Sequence, residues 1–416
     1  MKQPSIRVNE RIFMLDCARK YFTPEWIKRL IDEISAVGYN AINLHFSEEM
    51  AWRLESKQYP WLAGGDHTIC SFGEENGMPE NNGKFITQDE MRDIVMHARA
   101  KGVDVIPSLD SPGHMTYAVK KYKENVGADL GNYFHKHGKT ALVQSTGENG
   151  ETPRLPYSRG IDISNPEARE FAKSLYVEYG SFFRELGCTS FDIGGDELLG
   201  WGTDGSIDKT VPKWFNLDHW EDYARATTGN PNAVAFDAFI LYMNELSGLL
   251  RSMGYKSIRM WNDDVYRFSD TGWQEIVKLD KNIDIQYWSP HTNNGDNTAE
   301  FYLGKGHNLY NFSRAYTYYT LYPSGRAPSY VTPEAIMDEW NPYVFAPENS
   351  QCDTEGNDYI FPPFNPKNVI KGPCERIKGA GFCLWCDTPA AETEEELLEH
   401  IRPLFTAIAK KSLGEN

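Results

Sequence analysis

Apolar and polar positions alternate along this chain with two periods. Short runs rich in β-branched and aromatic residues are separated by longer amphipathic segments. The runs fall at residues 12–16, 41–46, 103–107, 190–194, 257–261, 283–288, 307–312 and 381–385. Runs of this length and apolarity are expected of parallel strands buried on both faces. Helix signals stand between them. Thr23-Pro24-Glu25 and Asn165-Pro166-Glu167 each place a capping side chain before a proline at the first helical position. Thr87 with Glu90 forms a capping box. Amphipathic stretches at 233–253 and 392–411 predict two further helices. Eight strands alternating with helices predict an α/β fold, a (β/α)8 TIM barrel.

Three excursions, residues 47–86, 126–160 and 313–375, are too long for ordinary strand-to-helix connections and are rich in Gly, Pro, Asn and Tyr. In a barrel, such insertions build the substrate site. No internal repeat or linker-like stretch interrupts the pattern, so residues 1–416 are expected to form one catalytic domain.

Composition narrows the function. The chain has 416 residues, 40% of them hydrophobic and 13% aromatic, enough for a packed core. Its formal charge of −17 opposes binding to nucleic acid or an anionic membrane surface. No apolar run approaches the ~18 residues of a membrane span. The first residues, MKQPSIRVNERIF, lack the apolar core of a secretory signal, so a cytoplasmic location is expected. Seven cysteines are scattered, and the single C-x-x-C (Cys383, Cys386) has no second pair at zinc spacing. Neither a metal nor a cofactor is expected.

Reactive side chains of barrel enzymes sit at the C-terminal ends of strands. Here those ends carry Asp16 and Arg19; His45, Glu48 and Glu49; Asp110 and His114; Gly194-Gly195-Asp196-Glu197; Trp261-Asn262-Asp263-Asp264; Trp288; Tyr316, Tyr318 and Tyr319; and Trp385 with Asp387. Carboxylates among tryptophans suit a sugar, whose apolar faces stack on indoles while its hydroxyls bond to charged groups. Two glycines before Asp196-Glu197 permit a tight turn that sets adjacent carboxylates at the barrel mouth. Neighbouring residues cannot easily straddle a glycosidic bond as an acid and a nucleophile do. They fit substrate assistance, in which the sugar's 2-acetamido oxygen attacks and the protein supplies one acid/base and one acetamide holder.

The stretches MLDCARKYF, LHFSEEMAW, VIPSLDSPGHM, FDIGGDE, RMWNDD, QYWS and FCLWCD, in this order, resemble glycoside hydrolase family 20, the β-N-acetylhexosaminidases. The likeness is to the branch consisting of a barrel alone and runs from about residue 11 to 411. It implies that Glu197 is the general acid/base and that Asp196 holds the acetamide and stabilises an oxazolinium intermediate. It implies a tyrosine at the acetamide carbonyl, Tyr316 with Tyr318 as the alternative. Arg19 would anchor the sugar's 3- and 4-hydroxyls, and Trp261, Trp288 and Trp385 would box the ring. Asp110 and His114 would support the catalytic carboxylates.

Two positions depart from the family pattern. Trp385-Cys386-Asp387 replaces the usual W-x-E, one methylene shorter, and Glu48 stands where relatives carry Asp, one methylene longer. Both bear on sugar specificity. The expected activity is exo-hydrolysis of terminal β-linked N-acetylglucosamine, or N-acetylgalactosamine, from oligosaccharides, with retention. The alternatives are disaccharide release, as by lacto-N-biosidases, and carbohydrate binding without catalysis. A metal-dependent barrel hydrolase would need a His-rich ligand cluster at a strand end, and the sequence has none.

Overall fold

The computed structural model describes residues 6–70, 72–131, 160–197, 218–262, 265–266, 275–288, 298–322, 332–345 and 366–415. Eight parallel strands form the barrel: β1 (Glu10–Asp16), β2 (Ala41–His45), β3 (Asp104–Ser108), β4 (Ser190–Asp192), β5 (Ser257–Trp261), β6 (Ile283–Tyr287), β7 (Leu309–Asn311) and β8 (Ile377–Trp385). They pair in sequence order, and β1 closes on β8 with Ile12 opposite Gly381. All eight predicted runs are strands, with ends shifted by a few residues.

The predicted caps are in place. Thr23 Oγ1 accepts from Trp26 N at the start of α1 (Pro24–Ala36), and Thr87 and Glu90 complete the capping box of α2 (Gln88–Ala100). Asn165 caps α4 (Pro166–Glu185). The two other predicted helices are α6 (Ala235–Ser252) and α10 (Glu394–Ser412). Five more belong to the ring and its loops: α3 (Thr116–Val126), α5 (Asp218–Thr228), α7 (Ala299–Lys305), the single turn α8 (Arg314–Thr317) and α9 (Pro333–Glu339). Among the described residues, no helix is long and apolar enough to cross a membrane.

Two apolar clusters hold this arrangement. The larger lies between strands and helices. The smaller fills the barrel and includes Ile12, Met14, Ile106, Phe312 and Cys383, with Trp261, Trp288 and Tyr318 toward the mouth. Gly381 is required by this inner packing, because a Cβ there would lie 2.2 Å from the Phe312 ring.

Strand β8 is the longest and serves two partners. Its first half pairs with β7, which stops at Asn311. The chain then makes the α8 turn and returns as a short strand, Tyr318–Thr320, alongside the upper half of β8 (Tyr318 opposite Cys383, Thr320 opposite Trp385). The excursion after β2 folds into a small antiparallel sheet of Ser47–Glu48, Ala51–Trp52 and Gly64–Gly65. Most of residues 126–160, and large parts of 313–375, lie outside the described residues.

The far end of the barrel is closed by a half-buried ion pair. Arg259, fully buried, donates to Glu10 Oε1 at 2.6 Å and lies 4.1 Å from the Tyr310 ring centroid. Tyr310 donates to the other Glu10 oxygen at 3.0 Å. Burial opposes the Arg259 charge, but Glu10 and neighbouring groups more than offset it, so the guanidinium is held above its usual pKa. Glu10→Gln leaves that cation without its counter-ion and should cost about 2 kcal/mol. The expected readout is an apparent melting temperature lowered by several degrees with unchanged kcat. An unchanged melting temperature would show that the pair contributes nothing to stability.

Candidate active site

The first four strands end in register. Asp16 lies opposite His45, His45 opposite Ser108, and Ser108 opposite Asp192, forming one row at the barrel mouth. A polar chain runs along it. Asp192 Oδ2 accepts from Asn43 Nδ2 at 2.8 Å and from Ser108 Oγ at 3.1 Å. Ser108 Oγ, already donating, accepts from His45 Nδ1 at 3.0 Å. The other ring nitrogen, Nε2, lies 3.3 Å from Glu48 Oε1. Both nitrogens thus have a polar partner within reach. Burial would neutralise His45, but the hydrogen bond and charge of Glu48 raise its pKa.

Glu48 is the centre of the mouth. Besides His45 it receives Arg19 Nη2 at 2.7 Å, His114 Nδ1 at 3.0 Å and the Glu49 amide at 2.7 Å. Its own burial favours the neutral acid. Arg19, then His114 and His45, overcome this and hold the carboxyl well below its usual range. His114 is buried as well, and Glu48 lifts its pKa well above that of a free imidazole. Arg19 also donates to Asp16 Oδ2 at 2.9 Å and lies 3.7 Å from Asp387 Oδ1 and 5.6 Å from the Trp385 ring centroid. Asp16 in turn accepts from the Cys386 amide, tying β1 to the end of β8.

The Asp196-Glu197 pair sits opposite this group. Gly194 and Gly195 both have positive φ (67° and 87°). A Cβ on Gly194 would lie 1.9 Å from Asp110 Oδ1, so only glycine fits. The same oxygen accepts from the Gly195 amide at 3.0 Å, locking the turn to β3. Glu197 (φ 41°) and His114 (φ 51°) also occupy the left-handed region, conformations costing about 1–3 kcal/mol for such residues and concentrated at functional sites. His114 Nε2 faces both carboxylates, 3.8 Å from Asp196 Oδ2 and 3.6 Å from Glu197 Oε2. The imidazole thus stands between Glu48 and the paired acids. Burial raises the Asp110 pKa despite opposing attraction from His114 and His45.

An aromatic wall completes the site. Trp288 stacks on Tyr318 (6.1 Å, 10°), Tyr318 meets Trp385 at 6.1 Å, and Trp385 meets Trp261 at 5.9 Å. The three predicted tryptophans come together. Tyr316 does not join them, contrary to the leading expectation. Its hydroxyl donates to Glu339 Oε2 at 2.6 Å and its ring packs in the outer core. Tyr318 faces the mouth because it begins the strand that replaces β7 beside β8. Asp263 and Asp264 lie outside the described residues. In the sequence Asp16 and His45 stand out only as strand-end residues, and Glu48 only as a strand-end residue longer than the family's Asp. The His45-x-x-Glu48 spacing amid apolar neighbours was the available signal for their roles.

Asp387 flanks Arg19 at one end of the wall. Burial pushes its pKa up to about 6 against the pull of Arg19. Behind it the loops close: Cys70 Sγ approaches Asp387 O at 3.7 Å, and Lys20 Nζ donates to Pro389 O (2.7 Å) and Glu392 O (2.8 Å). The mouth thus offers an acid pair with a facing imidazole, an aromatic box and a cation-carboxylate end wall. Gly194→Ala should displace Asp110 and the acid pair and cut kcat by about 100-fold while the circular dichroism spectrum is retained. Near-normal kcat would mean that the turn tolerates a side chain.

Residues 10–411 match the family model for the glycosyl hydrolase family 20 catalytic domain. Among curated proteins the chain is 34% identical over 182 residues to a beta-hexosaminidase of Vibrio furnissii, covering 42% of this chain and 29% of that one. It is 25% identical over 330 residues to a lacto-N-biosidase of Bifidobacterium bifidum, covering 79% of this chain and 23% of the relative. The chain thus spans less than a third of the length of either relative. Among solved structures, dispersin B shares its fold, with a TM-score of 0.63 and 24% identity over 97% of this chain and 99% of that one. The family match extends over nearly the whole sequence and agrees with the barrel and the strand-end carboxylates, and on that basis the chain belongs to glycosyl hydrolase family 20.

Proposed function

We propose that this chain is a retaining exo-β-N-acetylhexosaminidase that works by substrate assistance. The observation that carries the reading is the placement of Asp196 and Glu197, consecutive residues that both face His114 Nε2. Carboxylates so placed cannot flank a glycosidic bond from opposite faces, as an acid and an enzyme nucleophile must. The nucleophile then comes from the sugar. The acetamido oxygen attacks C1 while Glu197 gives its proton to the leaving oxygen. Asp196 accepts the acetamide N–H and balances the positive charge of the oxazolinium ion. Glu197 then takes a proton from water, which attacks C1 from the face the leaving group vacated, so the configuration is retained.

The surrounding groups support this division of labour. His114, fixed by Glu48, presents Nε2 to both carboxylates and holds them in place for this chemistry. Trp261, Trp288 and Trp385 would enclose the acetamido sugar, with Tyr318 donating to its carbonyl oxygen. Arg19 and Asp387 would bind hydroxyls at the non-reducing end. Terminal N-acetylglucosamine or N-acetylgalactosamine on an oligosaccharide or simple glycoside is the proposed substrate.

Glu197→Gln should lower kcat/KM at least ~1,000-fold for aglycones that need protonation and much less for activated aryl leaving groups. Equal losses for both would remove Glu197 from the acid role. Asp196→Asn should damage hydrolysis of acetamido substrates more than Trp288→Phe does. The reverse ranking would place the acetamide elsewhere.

Asp387 predicts a pH effect on binding. Its carboxylate accepts hydroxyl hydrogen bonds above its pKa of about 6 and loses that charge below it. KM should therefore rise as pH falls through about 6, by roughly tenfold for the loss of one charge-assisted hydrogen bond. Asp387→Asn should abolish the step and show the higher KM throughout. A step that survives in Asp387→Asn would assign it to another group.

A further inference from the structure

Beyond the sugar chemistry, we infer that Asp110, His114 and Asp196 form a site for a divalent transition-metal ion of the zinc class, and that the ion inhibits the enzyme. One ligand atom from each residue lies within 4.8 Å of the other two. Two side-chain atoms make the cluster more than a group of acids. Asp110 Oδ2 and His114 Nε2 are buried and complete no hydrogen bond among the described residues. Their residues are 1% and 3% exposed.

The groups behind these atoms are arranged as behind a metal. His114 Nδ1 is bonded to Glu48 Oε2 at 3.0 Å, which leaves Nε2 as the ligand nitrogen and aims it at Asp196. A carboxylate behind a ligating histidine is the usual support of such sites and is worth about 10–100-fold in affinity. Asp110 is held likewise, its Oδ1 taken by the Gly195 amide so that Oδ2 is left to coordinate. One imidazole and two carboxylates suit zinc or cobalt. Bonds of about 2.0–2.2 Å to tetrahedral zinc place ligand atoms roughly 3.3 Å apart. The 3.8 Å between His114 Nε2 and Asp196 Oδ2 needs only a small closure. Glu197 Oε2, 3.6 Å from the same nitrogen, lies beside the three ligands, and water takes the fourth position. Binding displaces the proton on His114 Nε2, ties up Asp196 and sets a cation beside Glu197. Inhibition therefore rests on the function proposed above, whereas ion binding does not.

The test is a titration of the chelator-treated full chain with Co2+, followed by absorption. The expected result is one equivalent bound with the visible bands of a four-coordinate oxygen-nitrogen site and no thiolate-to-cobalt charge-transfer band. Zn2+ should displace it, saturating N-acetylglucosamine should compete with it, and Asp110→Asn should weaken it at least about tenfold. His97→Gln, at the exposed His97–Asp32 pair, should leave it unchanged. Zn2+ should inhibit hydrolysis with the midpoint of its binding curve, reversed by chelator. Absence of saturable binding, thiolate bands, or binding indifferent to both the sugar and Asp110→Asn would overturn the site. Binding that meets these criteria in a protein lacking hexosaminidase activity would uphold the site and reject the hydrolase reading.

Discussion

Glu48 accepts from Arg19, His45, His114 and its neighbour's amide while shut away from water. A carboxylate so placed is stable only as the anion at the centre of several donors. Each donor is thereby fixed in turn. Arg19 is held beside Asp387 and Trp385, His45 joins the row of strand-end polar groups, and His114 is turned toward Asp196 and Glu197. The Arg19–Asp387 end of the mouth and the acid pair are thus set by one buried charge. The extra methylene of glutamate relative to aspartate lets it reach from the short strand Ser47–Glu48 to the loops after β1 and β3 and back to β2.

The barrel supplies the geometry that this charge organises. Parallel pairing in register brings Asp16, His45, Ser108 and Asp192 to the same height. The turn after β4 then bends away through two glycines, pinned by Asp110. His114 and Glu197 share the left-handed backbone, and the buried bond of His114 to Glu48 helps to sustain it. The ion pair of Arg259 and Glu10 closes the opposite end, separating groups that hold the barrel from groups at its mouth.

The eight strands were legible because parallel strands buried on both faces must be apolar throughout. Helices with a side-chain cap before a proline or glutamate were legible for the same local reason. Helix α3 was not, since Met115 at its N-cap offers no capping side chain. Helix α9 carries Thr332 as cap and Pro333, but it lies inside a segment that read as loop. The acid pair, Arg19 and the tryptophans were visible as residue types at strand ends. That Tyr318 and not Tyr316 joins the tryptophans was not, because it depends on where the chain rejoins β8. The role of Glu48 was hidden for a similar reason: its partners come from β2 and the loops after β1 and β3, and only closure of the barrel brings them to one point.

The central claim is that the substrate's own acetamide is the nucleophile at C1. The direct measurement is kcat/KM for aryl β-glucosaminides whose N-acetyl group carries zero, one, two or three fluorines. Fluorine withdraws electrons from the carbonyl oxygen while changing its size little. The account predicts a steep monotonic fall in kcat/KM across the series, with no covalent glycosyl-enzyme at any stage. Rates that do not respond to fluorination, or a sugar trapped on a protein carboxylate, would contradict it.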